Sequence, residues 1–209
     1  MKAIETLLIE NPDLAPCLPN LERAFALLRN SYRAGGKVLV CGNGGSAADS
    51  EHIVGELMKG YLLPRAIPRA AHEKLCEAYP GEGTYLAEHL QGALPAISLV
   101  SQVALMTAFA NDVAADMMFA QQVYGYGRPG DVLWALSVSG VSVSVLHALR
   151  VARARGVWTL GFTGATGGAM PPLCDVTLYV PRTSVAAVQS GHQALYHTLC
   201  ELLETEFFA

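Results

Sequence analysis

The chain has 209 residues, of which 52% are hydrophobic and only 15% are charged, and its formal net charge is −4. This length suits one α/β domain with a large core, so we predict a single domain over residues 1–209. The negative charge argues against a nucleic-acid surface. No uninterrupted apolar run reaches the length of a membrane span, and the acidic start of the chain does not resemble a signal peptide. We therefore expect a cytoplasmic protein that binds neither nucleic acid nor membrane.

Residues 1–34 are predicted to form a helical arm ahead of the sheet. Apolar residues recur at helical spacing from Met1 to Glu10, and Asn11-Pro12 interrupts the pattern. Asn20 is placed to cap a second helix, which Gly35-Gly36 ends. Such an arm commonly packs on a partner subunit, and the high hydrophobic content also indicates extensive burial between subunits.

The prediction is organised around the stretch KVLVCGNGGSAADSEHIVGELMKGY, residues 37–61. Val38–Cys41 is a short apolar run typical of a strand covered on both faces in a parallel sheet. Residues 42–45 tolerate left-handed backbone, and Ser46 is predicted to cap a helix over residues 47–60. A helix N-terminus after a glycine turn suits a phosphate group, whereas the spacings of dinucleotide and ATP motifs are absent.

Two polar residues of this helix, His52 and Glu56, are four residues apart and therefore share one face. A solvated polar pair on a surface helix is one interpretation. The phosphate-type turn just before them favours another, in which they supply a base or a metal ligand beside a bound phosphorylated compound.

Strands and helices alternate through the rest of the chain. This order predicts a five-stranded parallel sheet with helices on both faces, a three-layer αβα sandwich in which ligands bind at the carboxyl ends of strands. The later strands are predicted at residues 96–100, 132–136, 157–162 and 176–180.

A hydroxyl-rich turn follows the third predicted strand and contains Ser137, Ser139 and Ser142. An ordinary serine cap of the next helix explains one of these residues. Three serines within six residues also suit a second set of phosphate contacts beside a helix N-terminus.

The last helix is predicted from about residue 186 to residue 206. Gln189 and His197 are eight residues apart on one face, with His192 nearby. Their natural partners are His52 and Glu56. The connection at residues 62–93 is the hardest to interpret, because prolines and glycines separate two short helical patterns. It is a candidate lid.

The segments CGNGGSAADSEHIVGEL, AFANDV, SVSGVS and QSGHQALYH, taken together, resemble the sugar isomerase (SIS) family and, within it, the phosphoheptose isomerases. The resemblance covers most of the chain from Asn20 onward. Residues 62–93 depart from it, since they form an insertion about 20 residues longer than this connection usually is in the family.

The resemblance implies a flavodoxin-like αβα fold assembled as a homotetramer, with active sites between subunits and a phosphorylated sugar as substrate. By motif position, Glu56 and His197 match the family's acid/base pair. A zinc site of the bacterial enzymes is matched by His52, Glu56, Gln189 and His197. The substrate contacts implied by the same motifs are Asn43, Gly44, Gly45, Ser46, Asn111, Asp112, Ser137, Ser139, Ser142 and Gln189.

The implied reaction converts sedoheptulose 7-phosphate into D-glycero-D-manno-heptose 7-phosphate through a cis-enediol. Such a reaction requires a base at the carbon next to the carbonyl and an acid that moves protons on the oxygens. Our hypothesis assigns these roles to Glu56 and His197, with a metal polarising the oxygens. Two nitrogen and two oxygen ligands suit zinc, although other divalent ions remain open.

Several residues depart from the family pattern around the substrate. Val138 and Val141 stand where the family usually has Thr and Asn, Gln102 replaces a common Asp, and Ala186-Ala187 replaces Asp-Arg. These changes surround the substrate rather than the acid/base pair, so they bear more on which sugar phosphate binds than on whether proton transfer takes place. A changed substrate and a loss of activity both stay open.

Two alternatives are non-catalytic: a sugar-phosphate sensor, and a protein-binding regulator like the replication-initiation regulator of the family. That regulator lacks the counterparts of Glu56 and His197, which this chain retains.

Overall fold

The computed structural model describes residues 2–209, so Met1 of the predicted first helix lies outside it. The helices are α1 (Lys2–Glu10), α2 (Leu18–Arg33), α3 (Gly45–Met58), α4 (Arg69–Ala78), α5 (Gly83–His89), α6 (Val103–Phe109), α7 (Met118–Tyr126), α8 (Val143–Ala154) and α9 (Val185–Phe208). The strands are β1 (Val38–Cys41), β2 (Ala96–Ser98), β3 (Val132–Leu136), β4 (Trp158–Gly164) and β5 (Val176–Val180).

The five strands form one parallel sheet in the order β2-β1-β3-β4-β5, which confirms the predicted fold class. Successive strands are added on one side of β1 and then on the other. The direction of the winding therefore reverses between β1 and β3. Such a reversal opens a crevice at the carboxyl ends of the two strands, and this is where open α/β sheets bind ligands.

Alternate strand residues face two different cores, which explains why the strands are apolar throughout. Val40 and Trp134 point into a core formed with α1, α2, α3 and α9. Leu39 and Ala135 point into a second core, on the opposite face, formed with α7 and α8. Because both faces are covered, β1 and β3 are fully buried.

Two predicted helix caps are wrong. α2 begins at Leu18, with Pro19 in its first turn, where the fixed φ of proline is compatible with a helix. Asn20 lies inside the helix and accepts a hydrogen bond from Arg23. Likewise α3 begins at Gly45, with Gly44 as its N-cap, so Ser46 lies buried in the first turn.

Residues 62–93 contain a helical hairpin, α4 and α5, whose two helices pack against each other. An antiparallel bridge between Ala66 and Gln91 closes its base. No residue of 62–93 lines the cleft described below, and the role of this segment as a lid stays a prediction.

The helical stretch Val103–Tyr126 is long and apolar enough to cross a membrane by length and composition, with a mean hydropathy of 1.3 over its most apolar window. It contains no uninterrupted apolar run of that length. A π turn (Ala110–Ala114) and a 3₁₀ turn (Ala115–Met117) interrupt the stretch and carry polar residues. Only 11% of that window is buried. The stretch therefore presents a mainly apolar exposed surface, although α7 packs against α8.

Candidate active site

The glycine turn after β1 is shaped by two positions that exclude a side chain. Gly44 has φ of 59°, in the left-handed region. A Cβ on Gly45 would overlap the amide of Gln189, because α9 crosses directly over the turn. The backbone N–H of Ser46 donates to the carbonyl of Asn43 and closes the turn.

The serine loop after β3 lies beside this turn, because β1 and β3 are neighbours in the sheet. The Asn43 side-chain amide joins the two by donating to the hydroxyls of Ser142 at 2.8 Å and Ser144 at 3.0 Å. Asn43 therefore holds the walls of the site together. Ser144, which is buried, was not predicted from the sequence.

A cleft of about 360 Å³ opens between the turn and the loop, at the carboxyl ends of β1 and β3. The N-termini of α3 and α8 meet there, which favours an anion. No lysine or arginine of the described residues lines the cleft, so backbone N–H groups, hydroxyls and helix dipoles supply its positive potential. Of the predicted substrate contacts, the cleft brings together Asn43, Gly44, Gly45, Ser46, Ser137, Ser139, Ser142 and Gln189.

A cluster of two imidazoles and a carboxylate forms where α3 and α9 pack together. His52 Nε2 lies 3.2 Å from Glu56 Oε1 and 3.3 Å from His197 Nε2. The ligand atoms of the three residues all lie within 4.8 Å of one another. Glu56 is buried, His197 is half-buried and His52 is exposed. Three of the four residues predicted as metal ligands are therefore in contact, although they are up to 145 positions apart in sequence.

The donor set of this cluster fits a zinc ion. Two imidazole nitrogens that face each other at 3.3 Å, with a carboxylate beside them, present lone pairs of the kind that zinc binds. Glu56 Oε2 is buried and has no hydrogen-bond partner within residues 2–209. The fourth predicted ligand, Gln189, instead has its amide against Gly45, seven positions before His52 on α3.

His52 is oriented by Tyr196 and Asp49. The Tyr196 hydroxyl lies 3.0 Å from His52 Nδ1 and 3.4 Å from Asp49 Oδ1. This contact at Nδ1 directs Nε2 toward Glu56 and His197, as is common for metal-binding histidines. Burial raises the pKa of the Asp49 carboxyl. Sequence reasoning missed Asp49, although its position three residues before His52 on a helix placed it on the same face.

The pKa of His197 is lowered, chiefly by burial and further by the neighbouring His52, against an opposing effect of Glu56. The imidazole is therefore neutral at pH 7, which leaves one nitrogen free to bind a metal or accept a proton. The Tyr61 ring stacks on it at a centroid distance of 5.6 Å.

Three of the residues singled out from the sequence lie outside both the cleft and the cluster of the described subunit. His192 is buried in the core against Phe162, with neither ring nitrogen hydrogen-bonded within the described chain, and burial lowers its pKa to about 4. Asn111 and Asp112 are exposed on the π turn and bond to each other at 2.8 Å, outside the cleft.

Of the residues that depart from the family pattern, Val138 lines the cleft, whereas Val141 is exposed. Gln102 is the N-cap of α6 and contributes nothing to the cleft wall.

The chain is similar in sequence to known proteins over about nine-tenths of its length. The model of the SIS domain matches residues 17–72 and 77–164. The phosphoheptose isomerase of Rhodospirillum rubrum is 41% identical over 191 residues, which cover 91% of this chain and 88% of the relative. That of Burkholderia pseudomallei is 39% identical over 194 residues, covering 90% and 85%.

Solved structures agree with these relatives. The phosphoheptose isomerase of Francisella tularensis superposes with a TM-score of 0.77 at 28% identity, covering 96% of this chain and 92% of that one. The enzyme of Neisseria gonorrhoeae gives a TM-score of 0.75 at 28% identity, covering 97% and 94%.

Proposed function

Because this chain belongs to the SIS domain family and to its phosphoheptose isomerases, we propose that it interconverts sedoheptulose 7-phosphate and D-glycero-D-manno-heptose 7-phosphate. The observation that carries the proposal is the contact between Glu56, His52 and His197 where α3 packs against α9. The same chain also has an anion-binding cleft at the start of α3. A purely phosphate-binding protein needs the cleft and has no use for the cluster.

The cleft accounts for recognition of the phosphate. Hydroxyls of Ser46, Ser137, Ser139 and Ser142 and the N–H groups of two helix N-termini are suited to the phosphate oxygens. The side-chain amide of Gln189 lines the same cleft, beside Gly45. Val138 makes the wall less polar than the Thr usual in the family, which bears on the choice of sugar.

The cluster accounts for proton transfer. Glu56 is a buried carboxylate that takes a proton from the carbon next to the carbonyl and returns it to the adjacent carbon. His197 moves a proton between the two oxygens, so that a cis-enediol forms and then collapses to the product. His52, Glu56 and His197 would hold a zinc ion, which supplies polarisation of the substrate oxygens when bound.

We also propose that the chain works as a homotetramer with active sites between subunits, in the cytoplasm. Ser46 and Glu56 are ten residues apart on α3, a rise of about 15 Å, so the phosphate and the reacting carbons are far apart within one subunit. The exposed apolar stretch Val103–Tyr126 supplies a surface for assembly. Asn111 and Asp112 lie on it, where they would contact substrate bound to a neighbouring subunit.

The test is incubation with sedoheptulose 7-phosphate in deuterated water, with C–H exchange followed by NMR. We expect deuterium to enter at the carbons next to the carbonyl and the aldose to accumulate. Absence of exchange with this and other heptose, hexose and pentose phosphates would exclude the isomerase.

A further inference from the structure

The two least exposed charged side chains of the described chain form an ion pair. Arg65 is 2% exposed and Glu204 is 1% exposed, and Arg65 Nε donates to Glu204 Oε1 at 2.7 Å. Burying two charges is costly unless further hydrogen bonds compensate them, so a buried pair is weak evidence for a purely stabilising role. The other hydrogen bonds of Arg65 and Glu204 therefore indicate what the pair does.

Arg65 binds the carboxyl-terminal end of α3. Its Nη1 donates to the carbonyl of Leu57 at 2.8 Å and its Nη2 to the carbonyl of Glu56 at 2.9 Å. These carbonyls belong to the last turn of the helix, where the backbone has no intrahelical donors left. The guanidinium therefore fixes the backbone of the residue proposed as the base.

Glu204 binds the chain that leaves α3. Its two carboxylate oxygens accept from the backbone N–H groups of Tyr61, Leu62 and Leu63 at 2.7, 2.7 and 3.1 Å. Burial alone would raise the pKa of this carboxyl, but these amides and Arg65 bring the pKa below its ordinary value. Glu204 is thus a carboxylate at neutral pH.

The pair connects the two helices that carry the cluster. Glu204 lies on α9 seven residues after His197, two turns away on the same side of the helix. Arg65 links it to the carbonyl of Glu56 on α3. One hydrogen-bonded chain therefore runs from Glu204 on α9 through Arg65 to the backbone of Glu56 on α3.

We propose that Arg65 and Glu204 are positioning residues of the isomerase, which hold Glu56 and His197 at their working separation. The proposal rests on the function given above. It also explains where the insertion starts and returns: the carbonyl of Arg65 accepts from the backbone N–H of Gly92, so both ends of residues 62–93 are fixed at this pair.

Three variants separate positioning from folding. Arg65→Lys keeps a cation beside Glu204 but cannot reach both carbonyls of α3 as well. Glu204→Gln removes the negative charge at nearly constant shape. The double variant Arg65→Met, Glu204→Gln leaves no unpaired buried charge, so it tests the proposal even where a single variant fails to fold.

We expect the folded variants to lose about 100-fold in kcat for exchange, the effect of a misplacement near 1 Å. KM and the affinity for inorganic phosphate should change less than about 3-fold, because the cleft is separate from the pair. The control is Glu206→Gln, on the same helix as Glu204. This variant removes a partly exposed ion pair with Arg33 of α2 and should leave kcat unchanged.

Wild-type kcat in folded Arg65→Lys and in the double variant would overturn the proposal, as would parallel losses in kcat and phosphate affinity. If the wild-type protein shows no exchange, the proposed function fails. Crystal structures of the variants then decide whether Arg65 and Glu204 position the cluster. The proposal then requires the separations of 3.2 Å and 3.3 Å within the cluster to lengthen. Unchanged separations would refute it.

Discussion

Glu56 is buried, contacts an imidazole through Oε1 and has in Oε2 an oxygen without a hydrogen bond from residues 2–209, although Lys59 Nζ lies 3.8 Å from it. A buried carboxyl group beside an imidazole is suited to act as a general base. We expect Glu56→Gln to lower the exchange rate by about 10³-fold, within the range for loss of a general base. Inorganic phosphate should bind as before, since the cleft does not include this residue. Deuterium exchange and calorimetric titration with phosphate measure the two effects.

A control on the same helix is Glu51→Gln. Glu51 is exposed and accepts a hydrogen bond from Ser101 at 2.8 Å, away from the cluster. The Glu51→Gln protein should exchange deuterium at the wild-type rate. Activity that persists in Glu56→Gln would show that another group is the base.

His192 gives the fold a sensitivity to acid. Its pKa is about 4 when folded, below the ordinary 6.5, so the unfolded chain binds the proton more readily. Its contribution to stability is therefore complete above pH 6.5 and is lost as the pH falls toward 4, by about 3 kcal/mol in total and about 2 kcal/mol at pH 5.

We expect His192→Leu to be more resistant to urea than the wild-type protein at pH 5, and to differ much less at pH 7.5. Unfolding curves at the two pH values measure the difference. His89→Leu, on the exposed end of α5, keeps His192 and should unfold like the wild-type protein at both pH values. A wild-type pH dependence in His192→Leu would mean that other groups cause the acid sensitivity.

Residue types and spacing were sufficient to predict the serine loop, the glycine turn and the pair on α3. They were insufficient where a role depends on burial. His192 and His197 have the same residue type on one helix, yet one faces the core and the other the cluster. Asn43 was predicted as a substrate contact, and only the structure shows that it joins two loops.

At the scale of elements, the strands followed from their apolar runs, because a strand buried on both faces has no polar positions to confuse the pattern. The starts of α2 and α3 were wrong by a few residues, since Cys17 and Gly44 stand at the N-cap positions instead of the predicted Asn20 and Ser46. Sequence periodicity also could not show that Gln189 would remain at the glycine turn while His197 joined the cluster.

The hairpin α4–α5 is predicted to be removable. Because the bridge between Ala66 and Gln91 already closes its base and the helices pack on each other, replacing residues 69–89 by a short Gly/Ser linker should leave the subunit folded. We expect the midpoint of thermal unfolding to change by only a few degrees, as measured by circular dichroism. A fall of more than about 15 °C would show that the hairpin stabilises the sheet domain.

For the whole molecule, the apolar surface of Val103–Tyr126 predicts assembly. We expect light scattering to give four subunits, and Val103→Asp or Val113→Asp, both at well-exposed positions, to give smaller species with reduced exchange activity. Trp158→Gln, at the other end of the sheet from the cleft, should leave the assembly intact. A monomeric wild-type protein with full activity would contradict active sites between subunits.

The order of the strands in the sheet was not predicted, because apolar runs do not specify which strands pair. The homotetramer implied by the resemblance stays a prediction, which the low charge and the high hydrophobic content also favour.

The helix α9 supplies Gln189 to the cleft, His197 to the cluster and Glu204 to the buried ion pair. It follows every other described element in the order of synthesis. A nascent chain in which β1 to β5 have already emerged therefore lacks all three contributions, and it acquires them together when this one helix docks. Turnover should thus begin only after α9 has been synthesised, and a translation product that stops before residue 185 should be inactive even if its sheet forms.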